Sequence, residues 1–223
     1  MKLKSFGCSF IYGSDLYDQI DIEWPPYSHS NLTWPALIAK KHNIEYECYA
    51  EPGIGNCKIL SHIISQASLN DRSIFVINWT WIDRYDFVNS QEHWSTIRPS
   101  GNSGLEEMYY RHFHSQIKDM MTTIYAINTA VDFLRERNIP FVMSYIDYTM
   151  LDTVDPNWHD PKYISVMQSK IKDFLVDFQG KNFLDWSRDR GFKISESWHP
   201  LEDAHSAAAD YMFPIFEKIL HKK

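Results

Sequence analysis

The sequence contains no long apolar run: nowhere in its 223 residues is there a stretch near the roughly 20 apolar residues needed to span a bilayer. Lys2 and Lys4 stand at the N-terminus, but no apolar segment of secretory length follows them. Positive charge is not in excess either. The formal net charge is −7 at pH 7, which leaves no electrostatic footprint for nucleic acid. Cysteine is scarce. Cys8, Cys48 and Cys57 are odd in number, scattered and without metal-ligand spacing, which suits a reducing compartment. No internal repeat, low-complexity tract or linker interrupts the chain. The expectation is a soluble cytoplasmic protein with no nucleic-acid or membrane partner, folded as one domain over residues 1–223.

What the chain does contain is an alternation of strand-like and helix-like segments, the pattern of an α/β sheet with helices on both faces. "KLKSFG" reads as a first strand. "LTWPALIAKKHN" reads as a helix with Thr33 as N-cap and Pro35 tolerated in its first turn. "IEYECYA" alternates like a strand, and "GNCKILSHIISQAS" is helical. "SIFVINW" is a short, nearly continuous apolar run of the kind a central parallel strand shows. Residues 81–105 lack clean periodicity and read as an irregular excursion, a lid or groove wall, whose aromatic content matches that of "IEWPPYSHS" near residue 25. A long helical region over 106–137, a strand "IPFVMSYID" and an amphipathic helix introduced by Asp160 and Pro161 follow. "NFLDW" reads as a short fifth strand, and a final helix is bent or broken at Pro214.

Reactive groups in a parallel sheet collect at the carboxyl ends of its strands. Strand one delivers Ser9 in "FGCSFIYGSDL"; a serine hydroxyl becomes a competent nucleophile only when a histidine takes its proton. Strand two delivers "AEPGIGN", where Gly53 and Gly55 expose backbone N–H groups at a helix start, equally readable as a turn that needs glycine. Strand three delivers Asn78 and Thr80, which alternation places on one face with Trp79 opposite. The last region, "SESWHPLEDAH", supplies His199 before Pro200 and His205 six residues on. Glu196, three residues before His199, is within reach of the far ring nitrogen, the third-member role in a triad. Arg84 reads as a brace to Asp83 or Asp86. His112 and His114 point to different helix faces and make a poor metal site, and Asp147 and Asp152 have no second signal beside them.

Together, "FGCSFIYG", "AEPGIGN", the "WT…R" segment after strand three and "HPLEDAH" resemble, in order, the blocks of the SGNH (GDSL-type) hydrolases, most closely the branch found in bacteria and large bacteriophages. The resemblance implies a three-layer α/β/α sandwich, flavodoxin-like in outline. It implies that Ser9 is the nucleophile, His199 the general base, and the Ser9 and Gly53 N–H groups two arms of an oxyanion hole. The third arm is Asn78 or Thr80. Where the family has an aspartate three residues before the histidine, this chain has Glu196; either Glu196 completes a triad, or His199 works with Ser197 or a backbone carbonyl. No metal or organic cofactor is required. The implied activity is ester hydrolysis through an acyl-enzyme on a small-molecule or glycan ester, with an acetylated sugar as the substrate class. The competing readings are a non-catalytic carbohydrate-binding or structural module, a phosphate-binding turn at "PGIGN", and an acyltransferase.

Overall fold

The computed structural model describes residues 1–19, 28–68, 72–101, 103–153 and 161–220; the aromatic stretch at 22–27 and the helix start at Asp160 lie outside them. In chain order the elements are β1 (Lys2–Phe6), α1 (Ser9–Tyr12), α2 (Trp34–His42), β2 (Glu45–Cys48), α3 (Asn56–Gln66), β3 (Ser73–Trp79), β4 (Tyr85–Val88) and β5 (Trp94–Ile97). There follow α4 (Gly104–His112), α5 (Gln116–Glu136), β6 (Phe141–Tyr145), α6 (Pro161–Lys172), α7 (Phe183–Asp189) and α8 (Glu202–Leu220).

Every residue of β3 is buried, as a strand covered on both faces requires. The sheet order β2-β1-β3-β6 is parallel throughout, with Leu3 opposite Tyr46 on one side and Ile74 on the other. Alternation along β3 divides the core. Ile74 and Val76 join the apolar cluster of α2, α7 and α8, whereas Phe75, Ile77 and Trp79 join that of α3, α5 and α6. This is the α/β/α sandwich expected. Helix α2 starts and stops by local rules. Extended Thr33 precedes it, Pro35 sits in its first turn, and left-handed Asn43 ends it by donating its N–H to Ala39 and Lys40 carbonyls.

Four expectations need correction. The region 106–137 is two helices, because Ser115 caps a fresh start by accepting the Lys118 N–H. The excursion 81–105 is not irregular throughout: β4 and β5 form an antiparallel hairpin, with Tyr85 opposite Ile97 and Asp86 opposite Thr96. "NFLDW" begins helix α7 rather than a strand, since the Asn182 side chain accepts the Asp185 N–H at 2.8 Å while Phe183, Leu184 and Trp186 turn inward. The sheet's fifth position instead goes to Leu175, bridged in parallel to Met143, with Val176 N–H donating to the Met143 carbonyl at 2.7 Å. Finally, the break expected at Pro214 is absent: α8 runs from Glu202 to Leu220 with the proline inside it. An interior proline costs about 3 kcal/mol, and burying Met212 and Phe216 on either side of it recovers about that much. Among the described residues, no helix is long and apolar enough to cross a membrane.

Candidate active site

Strand β1 ends at Phe6, and the chain turns at once into the single turn α1. Ser9 opens that turn, so its N–H has no carbonyl inside the helix to pair with. Gly13 closes it in the left-handed conformation (φ 85°), donating its N–H to the Ser9 carbonyl at 2.8 Å. A Cβ there would stand 2.4 Å from the Ser30 Cβ, so both the conformation and the space demand glycine. The chain doubles back through Gly13, and Asp15 comes round to the same side as Ser9.

Across the sheet edge, the segment between α7 and α8 brings His199. Ile194 and Pro200 form an antiparallel bridge, and residues 195–199 make a tight turn between them in which Trp198 N–H donates to the Ser195 carbonyl at 3.0 Å. His199 Nε2 lies 2.8 Å from Ser9 Oγ, and His199 Nδ1 lies 2.7 Å from Asp15 Oδ2. Ser195 Oγ donates to the same carboxylate oxygen at 2.7 Å, and Ser197 Oγ donates to it as well. Burial pushes the Asp15 carboxyl up, but the hydrogen bonds from Ser197, His199 and Ser195 outweigh it and hold the group below its ordinary value. The Phe10 ring meets the imidazole edge-on at 5.3 Å and fixes its tilt.

The carboxylate at the imidazole is therefore Asp15, not Glu196. Glu196 points to solvent at the tip of the turn, and Ser197 Oγ lies 3.2 Å from Nδ1. The geometry puts three donors on one oxygen of a residue that sequence reasoning passed over. The signal was present, an aspartate six residues after Ser9 and just beyond a glycine, but nothing in the sequence says that α1 is only one turn long.

The glycine turn after β2 sits beside β1, where Glu51 N–H donates to the Gly7 carbonyl at 3.1 Å. Asp86 of the hairpin fastens it, accepting the N–H groups of Gly55 (2.9 Å) and Lys58 (2.8 Å) and the Thr96 hydroxyl. Arg84 donates to the Ile54 carbonyl at 3.0 Å and so braces this turn, and its charge also acts on the Asp83 carboxylate. The Arg98 Nη1 lies 2.6 Å from where a Cβ on Gly53 would be. Asn56, at the start of α3, binds Thr80 from both sides: its Oδ1 accepts the Thr80 N–H at 2.8 Å and its Nδ2 donates to the Thr80 carbonyl. Thr80 Oγ1 is buried without a partner among the described residues. Asn78 faces Ser144 across β3 and β6, donating to its hydroxyl at 2.7 Å.

The remaining candidates are structural. His205 accepts the Trp34 N–H on Nδ1 at 3.1 Å, and burial, aided by the His199 charge, pushes its pKa down to about 3. Asp147 accepts the Ile82 and Thr149 N–H groups, Asp152 ends the short turn after it, and His114 pairs with Asp119 at 3.1 Å while His112 stays exposed. Among the described residues, no cluster of histidine, cysteine or carboxylate side chains fits a metal ion. An apolar cavity of about 460 Å³ lies between the hairpin and α4, lined by Tyr85, Phe87 and Met108 among others, and none of its lining residues is Ser9, His199 or Asp15.

No protein-family model and no curated protein matches this sequence. Solved structures do match. A member of the lipolytic G-D-S-L family from Veillonella parvula superposes with TM-score 0.53 at 12% identity, over 98% of this chain and 99% of that one. A psychrotrophic esterase from Pseudoalteromonas sp., inhibited by monoethylphosphonate, superposes with TM-score 0.55 at 13% identity, over 99% of each chain. An acetyl xylan esterase from Butyrivibrio proteoclasticus gives TM-score 0.52 at 14% identity, over 98% of this chain and 64% of that one. The fold of this chain is the one these lipolytic proteins and esterases share.

Proposed function

We propose that this chain is a serine ester hydrolase acting through an acyl-enzyme. The observation that carries the reading is the linear array Ser9 Oγ, His199 Nε2 and Nδ1, Asp15 Oδ2, with links of 2.8 and 2.7 Å. Ser9 Oγ attacks the ester carbonyl carbon as its proton passes to His199 Nε2. Asp15 holds the Nδ1 proton, fixes the tautomer and stabilises the imidazolium that forms. The tetrahedral oxyanion is met by the Ser9 and Gly53 N–H groups, the two backbone arms of the hole. Of the two candidates for a third arm, the Asn78 amide donates to Ser144 and the Thr80 N–H to Asn56, while the Thr80 hydroxyl has no partner among the described residues; both side chains are buried. Collapse breaks the bond to the alcohol, which leaves with the proton from His199. A water deprotonated by the same imidazole then attacks the acyl-serine, releasing the acid and restoring Ser9. Every step is a proton transfer or an acyl transfer among Ser9, His199, the ester and one water.

For the substrate class we propose an acetylated sugar or glycan. The support is Trp198, largely exposed beside His199, and a shared fold with a protein described as an acetyl xylan esterase. A fluorophosphonate probe tests the chemistry. Covalent labelling of the wild type and not of Ser9→Ala is the expected result. Absence of labelling at any pH between about 6 and 9 sinks the hydrolase and favours a non-catalytic sugar-binding module.

A further inference from the structure

Trp198, immediately before His199, has φ 71°. This is the left-handed region, where a bulky side chain is a genuine outlier and glycine or asparagine is the ordinary choice. The other described non-glycine residues with positive φ are Asp15, Asn43, Glu92, Asn138 and Gln179, all polar and hydrogen-bonding; Trp198 is the one aromatic among them. Burial in the core does not explain it. The residue is 59% exposed, so its ring is not an anchor in the core. The turn itself needs only the Trp198 backbone, whose N–H donates to the Ser195 carbonyl at 3.0 Å. The Arg188 guanidinium lies over the ring, 4.2 Å from its centroid, and fixes its orientation. A costly conformation thus holds a largely exposed, oriented indole one residue from the general base. Strain of this kind clusters at active sites and ligand clamps.

We propose that Trp198 is the platform on which the sugar ring of the ester stacks, an inference that rests on the hydrolase reading above. An indole offers a broad apolar face with little side-chain entropy to lose, and the C–H face of a pyranose is its complement. The peptide bond to His199 ties the platform to the atom that moves the proton. A sugar stacked there is placed against Ser9 by the same turn that aims the imidazole.

The test compares two acetate esters, one with a ring and one without: glucose pentaacetate and ethyl acetate, both followed by acid release. An aryl ester is avoided because its own ring would stack. Trp198→Gly and Trp198→Asn both suit the left-handed turn, so each should fold, which thermal unfolding verifies. The readout is the ratio of kcat/KM for glucose pentaacetate to that for ethyl acetate. Loss of the platform should lower this ratio about tenfold in both variants. A fall of less than about threefold overturns the inference, including the case where both esters slow equally because Trp198 merely positions His199. The hydrolase reading fails differently. If the wild type cleaves neither ester and takes no phosphonate label at Ser9, both proposals fall. If it is labelled and cleaves ethyl acetate but not the sugar ester, only the Trp198 inference falls.

Discussion

Replacing Asp15 by asparagine isolates the charge behind the imidazole. The amide keeps the volume of the carboxylate, and its oxygen can still accept from Ser195, Ser197 and His199 Nδ1, the three donors that converge on Oδ2. What disappears is the attraction between a carboxylate and the imidazolium formed in the transition state. With the ring nitrogen 2.7 Å from Oδ2, the charge centres are about 4 Å apart, worth roughly 4 kcal/mol at an effective dielectric of about 20. The Asp15 side chain is 38% exposed, and screening reduces that to about 2–3 kcal/mol. Each 1.36 kcal/mol is a factor of ten, so kcat for a short ester should fall about 10²-fold in Asp15→Asn. Glu196→Gln, measured beside it, should stay within about twofold of wild type, since that side chain points to solvent. The rate of phosphonate labelling should follow the same order. An Asp15→Asn enzyme within threefold of wild type, or a Glu196→Gln enzyme as impaired as Asp15→Asn, would refute the assignment of Asp15 as the positioning carboxylate.

Gly55→Ala places a methyl 2.6 Å from Asp86 Oδ2 and 2.8 Å from the Arg84 carbonyl oxygen, and the backbone oxygen cannot step aside. We expect about 1–3 kcal/mol of lost stability by denaturant titration, together with lower turnover as the turn beside Ser9 shifts. His205 titrates near its ordinary 6.5 when unfolded but near 3 when folded, so the unfolded chain binds the extra proton between those values. Stability should therefore drop as pH falls through that window, by about 2 kcal/mol between pH 7 and pH 5, and His205→Gln should remove this part of the slope. Asn182→Ala deletes the side-chain cap of α7 and should cost about 1 kcal/mol in the same assay, with kcat for a short ester unaffected.

The parts of the fold that were legible in the sequence are those where local pattern and tertiary setting agree. β3 is an apolar run because it is covered on both faces, and α2 carries its own start and stop. The misreadings share one cause, a competing interaction stronger than the pattern. "NFLDW" is apolar enough for a strand, but the Asn182 side chain caps a helix there and leaves the sheet position to Leu175. Pro214 should stop a helix, and the buried Met212 and Phe216 carry it through. The hairpin β4–β5 has little periodicity because its two faces serve different neighbours. Tyr85 stacks on Tyr109 of α4 at 4.7 Å on one side, and Asp86 holds the glycine turn on the other.

Within the site, the Ser9 and His199 pair was readable because each lies in a recognisable block, whereas Asp15 depended on the length of a helix. That difference bears on how the array assembles. Ser9 and Asp15 belong to one short segment whose shape is set by α1 and Gly13, so local folding alone places two of the three groups. Only His199 must arrive from far along the chain, 190 residues after Ser9. The contact that delivers it is not catalytic. His205, one turn into α8, accepts the Trp34 N–H across 171 residues and, being neutral and buried, ties the start of α8 to the start of α2. Within the "HPLEDAH" block, the first histidine sits 2.8 Å from the serine hydroxyl, and the second anchors the start of α8 to the start of α2.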